Sequence, residues 1–369
     1  MATLRSCRGG RAVTDTGPQP SPFGAPSSRP HVTVALCTWN GTPWLSELLD
    51  SVARQVRVPD ELVVQDDVST DDTVAVVEAF AARAPFPVRL EVNERRLGST
   101  ANFERALLRC SGRIVALADQ DDVWYPSKLD RLVTVLDEDP ILTLAFSDAD
   151  LLDSGGRPTG RRLWDSRGNG RYLRGHEIVP GEMFARRALS TGCTMAARRR
   201  AIDAALPFPS SLDDPIAPMR HDRWLSLVAA AVGTVRALPE ALLGFRVHPE
   251  QQTGVLAPRD LRRRRLAAAA AVLGPLRPEA SAEHRTRALQ IEEVARRADR
   301  LGDFEEADKL RAVARHHLVR AETGASTSAR LRSIGAEVRG GGYDRSWLGV
   351  GSAAADAARA GRRATSRSR

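Results

Sequence analysis

The chain of 369 residues is poor in aromatics (5%), carries four cysteines, and has two lysines, Lys128 and Lys309, among its 54 basic residues. Long apolar runs are missing as well. The longest nearly uninterrupted one, Trp224 to Val235, covers 12 residues, and a membrane span needs ~20. Cys7, Cys37, Cys110 and Cys193 lie far apart with no paired spacing, which excludes a zinc knuckle or a disulfide framework and makes a reducing, cytoplasmic setting the expectation. Arg5, Arg8 and Arg11 are followed by no apolar stretch, so the N-terminus does not read as a secretory signal. There is no Gly-x-Gly-x-x-Gly after the first strand run, no Gly-Lys-Ser/Thr and no Gly-x-Ser-x-Gly elbow. Ordinary dinucleotide binding, P-loop chemistry and serine-hydrolase chemistry are thereby disfavoured.

What is present is a globular composition, 42% hydrophobic, with a net charge of +8 that is unevenly placed. Residues 257–369 hold 24 basic and 14 acidic groups, which leaves 30 and 32 in the other 256 residues. The basicity therefore sits toward the C-terminus. Nucleic-acid binding through this Arg-rich tail is one function class to weigh, but an Arg skew can follow from genomic base composition. Arg262–Arg265 fit either a solvated helix face or a peripheral contact with anionic lipid headgroups, worth ~1 kcal/mol per charge near a membrane surface.

Residues 1–30 contain five prolines (18, 20, 22, 26 and 30) and no apolar period, and are expected to form a disordered arm. From His31 a strand-helix alternation begins. Strands are expected over Val32–Cys37, Glu61–Gln65, Val88–Val92, Arg113–Ala118 and Ile141–Phe146. Helices are expected over 43–55, 72–84, 99–110 (Ser99 capping) and 126–136. This predicts parallel βαβ units with helices on both faces. Residues 154–181 read as a long Gly- and Arg-rich loop. There follow a strand (193–197), a helix (198–206), a strong helix (222–232) and two short strands (234–237 and 242–247). Helical spacing returns over 260–320, and 321–369 read as mostly disordered. The expected division is a disordered arm (1–30), a catalytic domain (31–254), a helical extension (255–322) and a basic tail (323–369).

Ligands of a parallel α/β sheet collect beyond the carboxyl ends of its strands. Here those ends carry Thr38-Trp39-Asn40, Asp66-Asp67 and Asp119-Gln120-Asp121-Asp122, five carboxylates on one rim. Asp-rich segments can be mere turns and caps. Two such clusters in successive loops of one array instead suggest compensation by a cation or by donors. All-oxygen donors suit Mg²⁺ or Mn²⁺ together with a substrate diphosphate.

The blocks around these residues, Val34–Gly41, Gln65–Thr73, Asn93–Gly98 and Ala118–Pro126, resemble inverting family 2 glycosyltransferases of the GT-A fold. Thr191–Met195, His221-Asp222-Arg223-Trp224 and Phe245–His248 resemble the bacterial rhamnosyltransferase-like branch. The resemblance covers roughly residues 31–254. It implies a Rossmann-like nucleotide-sugar-binding sheet with a helical C-terminal extension, and an enzyme of cell-surface polysaccharide synthesis. That enzyme would transfer one hexose or deoxyhexose from a nucleotide-sugar donor to a glycan or lipid-linked glycan acceptor. By the same resemblance Asp66 binds the nucleotide base, and Thr38 and Asn40 lie against the nucleotide. Asp119 and Asp121 form the Asp-x-Asp element, with Asp121 the leading metal ligand. Asp122 assists at the ribose or behind the metal, His248 reaches the metal or diphosphate, and Asp222 is the catalytic base. Asp222 also reads as a plain helix cap, and Trp124 as either an acceptor-stacking ring or a core residue. Val68 stands where the family commonly has Gly, so a positive φ there would be strained. No Gln-x-x-Arg-Trp element is present, which argues against a processive synthase. The nearest rival is a sugar nucleotidyltransferase, but the loop 38–42 lacks the basic, Gly-rich character that holding a triphosphate requires.

Overall fold

A computed structural model describes residues 31–174, 177–251 and 278–321. The expected arm (1–30), the 254/255 boundary, Arg262–Arg265 and the tail from 322 lie outside the described residues.

The first half follows the expected alternation. Its elements are β1 (Val32–Thr38), α1 (Thr42–Ala53), β2 (Glu61–Asp66), α2 (Thr73–Ala81), β3 (Val88–Val92), α3 (Ser99–Arg109) and β4 (Ile114–Asp119). The strands pair in parallel, in the order β3-β2-β1-β4. β1, β2 and β4 are buried almost throughout, and for that reason they read as continuous apolar runs rather than alternating ones. Next come a two-residue β5 (Val123–Trp124), α4 (Lys128–Glu138), β6 (Leu142–Leu152) and β7 (Pro158–Arg162). After them are α5 (Leu163–Ser166), α6 (Gly170–Leu173), α7 (Gly181–Arg186), a 3₁₀ turn at Gly192–Thr194, β8 (Met195–Arg198), α8 (Arg199–Ala205), α9 (His221–Ala231) and β9 (Thr234–Arg246). β8 runs antiparallel between β4 and β6, β6 pairs in parallel with β9, and β5 closes that edge. The result is one nine-stranded mixed sheet, with Phe146 and Trp224 in the core on one face and Leu45 and Phe80 on the other.

Several expectations are corrected. Residues 154–181 are not one loop: β7 folds back on β6 as a hairpin whose turn is tied by Asp153 Oδ1, which accepts from Gly155 and Arg157 N–H. The two short strands at 234–247 are one strand. Pro239 broke the pattern because it has no N–H, yet the pairing shifts register between Leu238 and Ala241, so proline sits in a bulge where no ladder bond is needed. Ser99 is not a cap but the first residue of α3; Gly98 precedes it at φ 83°, a backbone value that favours glycine. Trp124 is 2% exposed and belongs to the core.

The C-terminal helices α10 (Pro278–Arg300) and α11 (Phe304–Ala321) share the main core, with Ile291, Val294 and Leu310 in one cluster with Trp224 of α9. The Arg297 guanidinium lies 4.9 Å from the Trp224 ring centroid and donates to the carbonyls of Ala204 (2.7 Å) and Pro207 (2.8 Å). No helix among the described residues is long and apolar enough to cross a membrane.

The strain expected at Val68 is present: its φ is 63°. A β-branched side chain in the left-handed region costs on the order of 1–3 kcal/mol, of which glycine returns part through the greater freedom of the unfolded chain. Val68→Gly is expected to raise stability by ~1 kcal/mol in urea unfolding. A loss of that size would mean that the Val68 contacts outweigh its backbone strain.

Candidate active site

One cleft of about 250 Å³ opens at the carboxyl ends of β1, β2 and β4. Of the residues singled out from sequence, Thr38, Asp119, Asp121, Asp222 and His248 line it together. Asn40, Asp66 and Asp122 are not among the lining residues, and hydrogen bonding explains the first two. The Asp66 carboxylate is fully buried, accepting from Thr38 Oγ1 (2.7 Å), Ser69 N–H (2.8 Å) and Ser69 Oγ (2.6 Å). It pins the tips of β1 and β2 together. Asn40, at φ 47°, accepts from Thr70 N–H (2.8 Å) and donates its own N–H to Ser69 Oγ (2.9 Å). The neighbouring Asp67 lines the cleft instead, while accepting from Leu97 N–H (2.7 Å), Gly98 N–H (2.8 Å) and Asn93 Nδ2 (2.9 Å).

The turn after β4 gathers the negative charge. Burial, with Asp121 and Asp222 close by, pushes the Asp119 carboxyl up to about 7. Asp122 is 1% exposed, and burial together with Asp121 and Asp119 raises it well above the usual carboxylate range. Its Oδ1 accepts from Arg246 N–H at 3.2 Å, while Oδ2 has no partner. Two buried cations answer this cluster. Lys128 donates to the Cys193 carbonyl with its ammonium 3.3 Å from the Trp124 ring centroid, and burial pushes it down to about 7 against the pull of Asp122 and Asp119. Arg246 is 2% exposed and donates to the Asp121 carbonyl (2.8 Å), Glu47 Oε2 (2.6 Å) and the Ser154 carbonyl (3.3 Å).

Asp121 faces the cleft with its Oδ2 2.8 Å from His248 Nε2, and the His248 ring packs on Trp44 at 4.1 Å. Asp119, Asp122 and Cys193 bring their ligand atoms within 4.8 Å of one another. The two carboxylates of that group could hold Mn²⁺ or Mg²⁺; Asp121 and His248 form a pair outside it. The elevated Asp119 carboxyl fits as well, since a divalent cation stabilises its charged form.

The opposite wall is the start of α9. Asp222 is its second residue rather than a cap, since Arg220 precedes the helix, and its Oδ1 accepts from Arg223 N–H at 2.7 Å. Sequence reasoning gives no individual role to Asp67, Arg96, Arg220 or His221, which also line the cleft. Arg96 lies over the half-exposed Trp39 ring at 3.4 Å, and Arg220 donates to Ser99 Oγ at 3.2 Å. His221 stacks on Phe103 at 3.9 Å, and burial pushes its imidazole down to about 4. The His221-Asp222 pair was visible in the sequence, but a role was read for its carboxylate alone.

Residues 33–203 match the family model described as Glycosyl transferase family 2. An uncharacterised protein of Mycobacterium tuberculosis is 28% identical over 219 residues, 59% of this chain and 59% of that protein. The dTDP-rhamnosyl transferase RfbG of Shigella flexneri is 29% identical over 105 residues, 27% of this chain and 36% of that protein. The chain thus spans about three-fifths of the length of the first of these relatives and about a third of the second. Among solved structures, S. aureus TarS 1–349 in complex with UDP aligns with a TM-score of 0.50 at 16% identity, covering 90% of this chain and 91% of that one. Residues 33–203 therefore match a family 2 glycosyltransferase domain, and the mixed sheet has a GT-A-like fold.

The acidic turn makes a pH prediction. Asp119 holds a proton in the folded state up to about pH 7 that the unfolded chain, with an ordinary value of 3.8, releases earlier. Its contribution to stability is therefore complete below the ordinary value and is lost as pH rises through about 7. Asp119→Asn is expected to become steadily more stable relative to the parent protein between pH 4 and 7 in urea unfolding. A stability difference that stays flat across that window would show that Asp119 is not carrying the strain of this cluster.

Proposed function

We propose that this chain, as the bearer of a family 2 domain, transfers one sugar from a nucleotide-sugar donor to a hydroxyl of a glycan or lipid-linked glycan acceptor, inverting the anomeric centre, in cell-surface polysaccharide synthesis. The observation that carries the reading is the single cleft in which the acidic turn Asp119–Asp122 and Asp222 stand together. A displacement with inversion needs one carboxylate to accept the acceptor's proton and positive charge to meet the departing nucleoside diphosphate. The family and the nucleotide-sugar donor in the name of RfbG point the same way.

In this reading Asp67 takes the nucleotide-facing place first given to Asp66, because it lines the cleft while Asp66 is consumed in joining the strand tips. Thr38 and Asn40 shape that wall, Asn40 through the loop it clamps. Asp121 and His248, with Asp119 beside them, would hold Mn²⁺ or Mg²⁺, which when bound offsets the charge that develops on the diphosphate. Asp122 backs this group from below through Arg246. Asp222 takes the proton of the attacking hydroxyl as the new carbon–oxygen bond forms and the bond from the anomeric carbon to the diphosphate oxygen breaks. The reaction is cytoplasmic in this reading. The excess positive charge of residues 257–369 favours a peripheral meeting with a membrane that holds the lipid-linked acceptor.

Two outcomes test the roles. Turnover found in a screen of nucleotide sugars with Mn²⁺ is expected to vanish in excess chelator and in Asp121→Asn, with the fold retained by circular dichroism. Full activity under either condition would sink the metal role. Asp222→Asn is expected to lower kcat by ~10²–10⁴-fold while leaving the donor dissociation constant nearly unchanged. A wild-type kcat would end the assignment, and lost donor binding would move Asp222 to the nucleotide site.

A further inference from the structure

Among the groups that line the cleft, His221 is used by none of the roles above, and its surroundings are peculiar. It is the first residue of α9 and is 8% exposed, yet neither ring nitrogen has a hydrogen-bond partner. A buried polar group without a partner is costly, and native structures seldom leave one unless something else satisfies it. The ring is not placed at random. Phe103 of α3 stacks on it with 22° between the planes, which fixes its orientation. Gly192 stands near its Nε2 edge, where an added Cβ would come within 3.0 Å of His221 Nε2 and 3.7 Å of the Asp222 Cβ. Glycine at that position leaves the space before Nε2 free, and both residues line the cleft.

We infer that His221 is the floor of the transferred-sugar subsite, hydrogen-bonding one hydroxyl of the donor's sugar and selecting donors that carry it. This rests on the glycosyltransferase reading and names the part of the substrate that one residue recognises. The chemistry of the partner follows from the ring. A neutral imidazole presents one N–H donor and one bare acceptor nitrogen, and burial keeps this one neutral near pH 7. A sugar hydroxyl both donates and accepts, so it can use either nitrogen. A phosphate only accepts and is better served by Arg96 or Arg220, which line the same cleft.

Depth separates donor from acceptor. His221 is buried where the next residue, Asp222, is half-buried. The base must meet an acceptor that arrives from the open side, whereas the buried ring meets the sugar already enclosed beneath it. A site built to hydrogen-bond a hydroxyl also rejects the analogue that lacks it, because the protein group is then left unpaired.

The test compares the parent protein, His221→Phe and His221→Gln. Phenylalanine retains the stack on Phe103 and removes both nitrogens; glutamine offers a donor and an acceptor. The donor is chosen by turnover from UDP-glucose, UDP-galactose, UDP-N-acetylglucosamine, GDP-mannose and dTDP-rhamnose. Calorimetry then measures binding of that nucleotide sugar and of its nucleoside diphosphate alone. His221→Phe is expected to bind the nucleoside diphosphate as the parent does and to lose ~10- to 100-fold in affinity and kcat/KM for the nucleotide sugar. His221→Gln is expected to recover part of that loss. Among deoxy analogues of the donor, one should be used equally by the parent and His221→Phe. Equal losses on the nucleoside diphosphate and the nucleotide sugar would overturn the inference in favour of a structural role. A change confined to the acceptor KM would place the contact on the acceptor, and unchanged kinetics would leave the ring without a ligand. If no nucleotide sugar binds the parent protein, the glycosyltransferase reading itself falls, a result distinct from any seen only in the variants. If His221→Phe does not fold, the comparison passes to His221→Gln, for which parent-like handling of the deoxy series supports the inference and uniform loss overturns it.

Discussion

Much of the second half of the chain is organised by the electrostatic cost of crowding Asp119, Asp121 and Asp122 into a partly buried turn at the end of β4. Carboxylates there are stable only where positive charge and donors are brought to them, and each such group comes from a different element. Lys128 opens α4, Arg246 ends β9, and the Cys193 carbonyl that holds the lysine lies in the turn leading into β8. Arg246 reaches on to Glu47 of α1 and to the β6–β7 turn at Ser154. The acidic turn is thus a hub through which four parts of the sheet are kept in register.

The front edge of the cleft uses a different device. At the tips of β1 and β2 the buried Asp66 carboxylate is satisfied by hydroxyl and amide donors rather than by a cation. Asn40 is held in a positive-φ conformation by its bonds to the same loop. One wall of the site is therefore stiffened by hydrogen bonds from uncharged donors, whereas the acidic turn depends on buried cations.

The first half of the fold could be read from the residues because parallel, doubly covered strands leave uninterrupted apolar runs, and because a turn of polar residues closes each one. The second half resisted for local reasons. Pro239 in β9 looks like a stop until the register shift beside it is known, and β7 is a short, mostly exposed strand after a Gly-Gly turn with no alternating pattern. Within the site, the strand ends located the acidic turn, and the family resemblance singled out Asp222. Neither could tell which of Asp66 and Asp67 lines the cleft, since Asp66 ends β2, Asp67 lies just beyond it, and sequence does not say which of them hydrogen bonds will turn inward. His221 was beyond reach for a deeper reason. A missing hydrogen-bond partner is a property of packing, and no pattern of letters records it.

The same helix α9 that begins with His221 and Asp222 packs against α10, whose Arg297 lies over Trp224, and α11 packs in turn on α10 within the same core. The C-terminal helices are therefore not a detachable module. In an exchange of segments between related chains, a graft that stops at the end of the sheet would deliver the cleft without the clamp that sets its far wall. A unit of recombination for this protein therefore includes α10 and α11, and chimaeras that keep them with the sheet have the better prospect of keeping the wall in place.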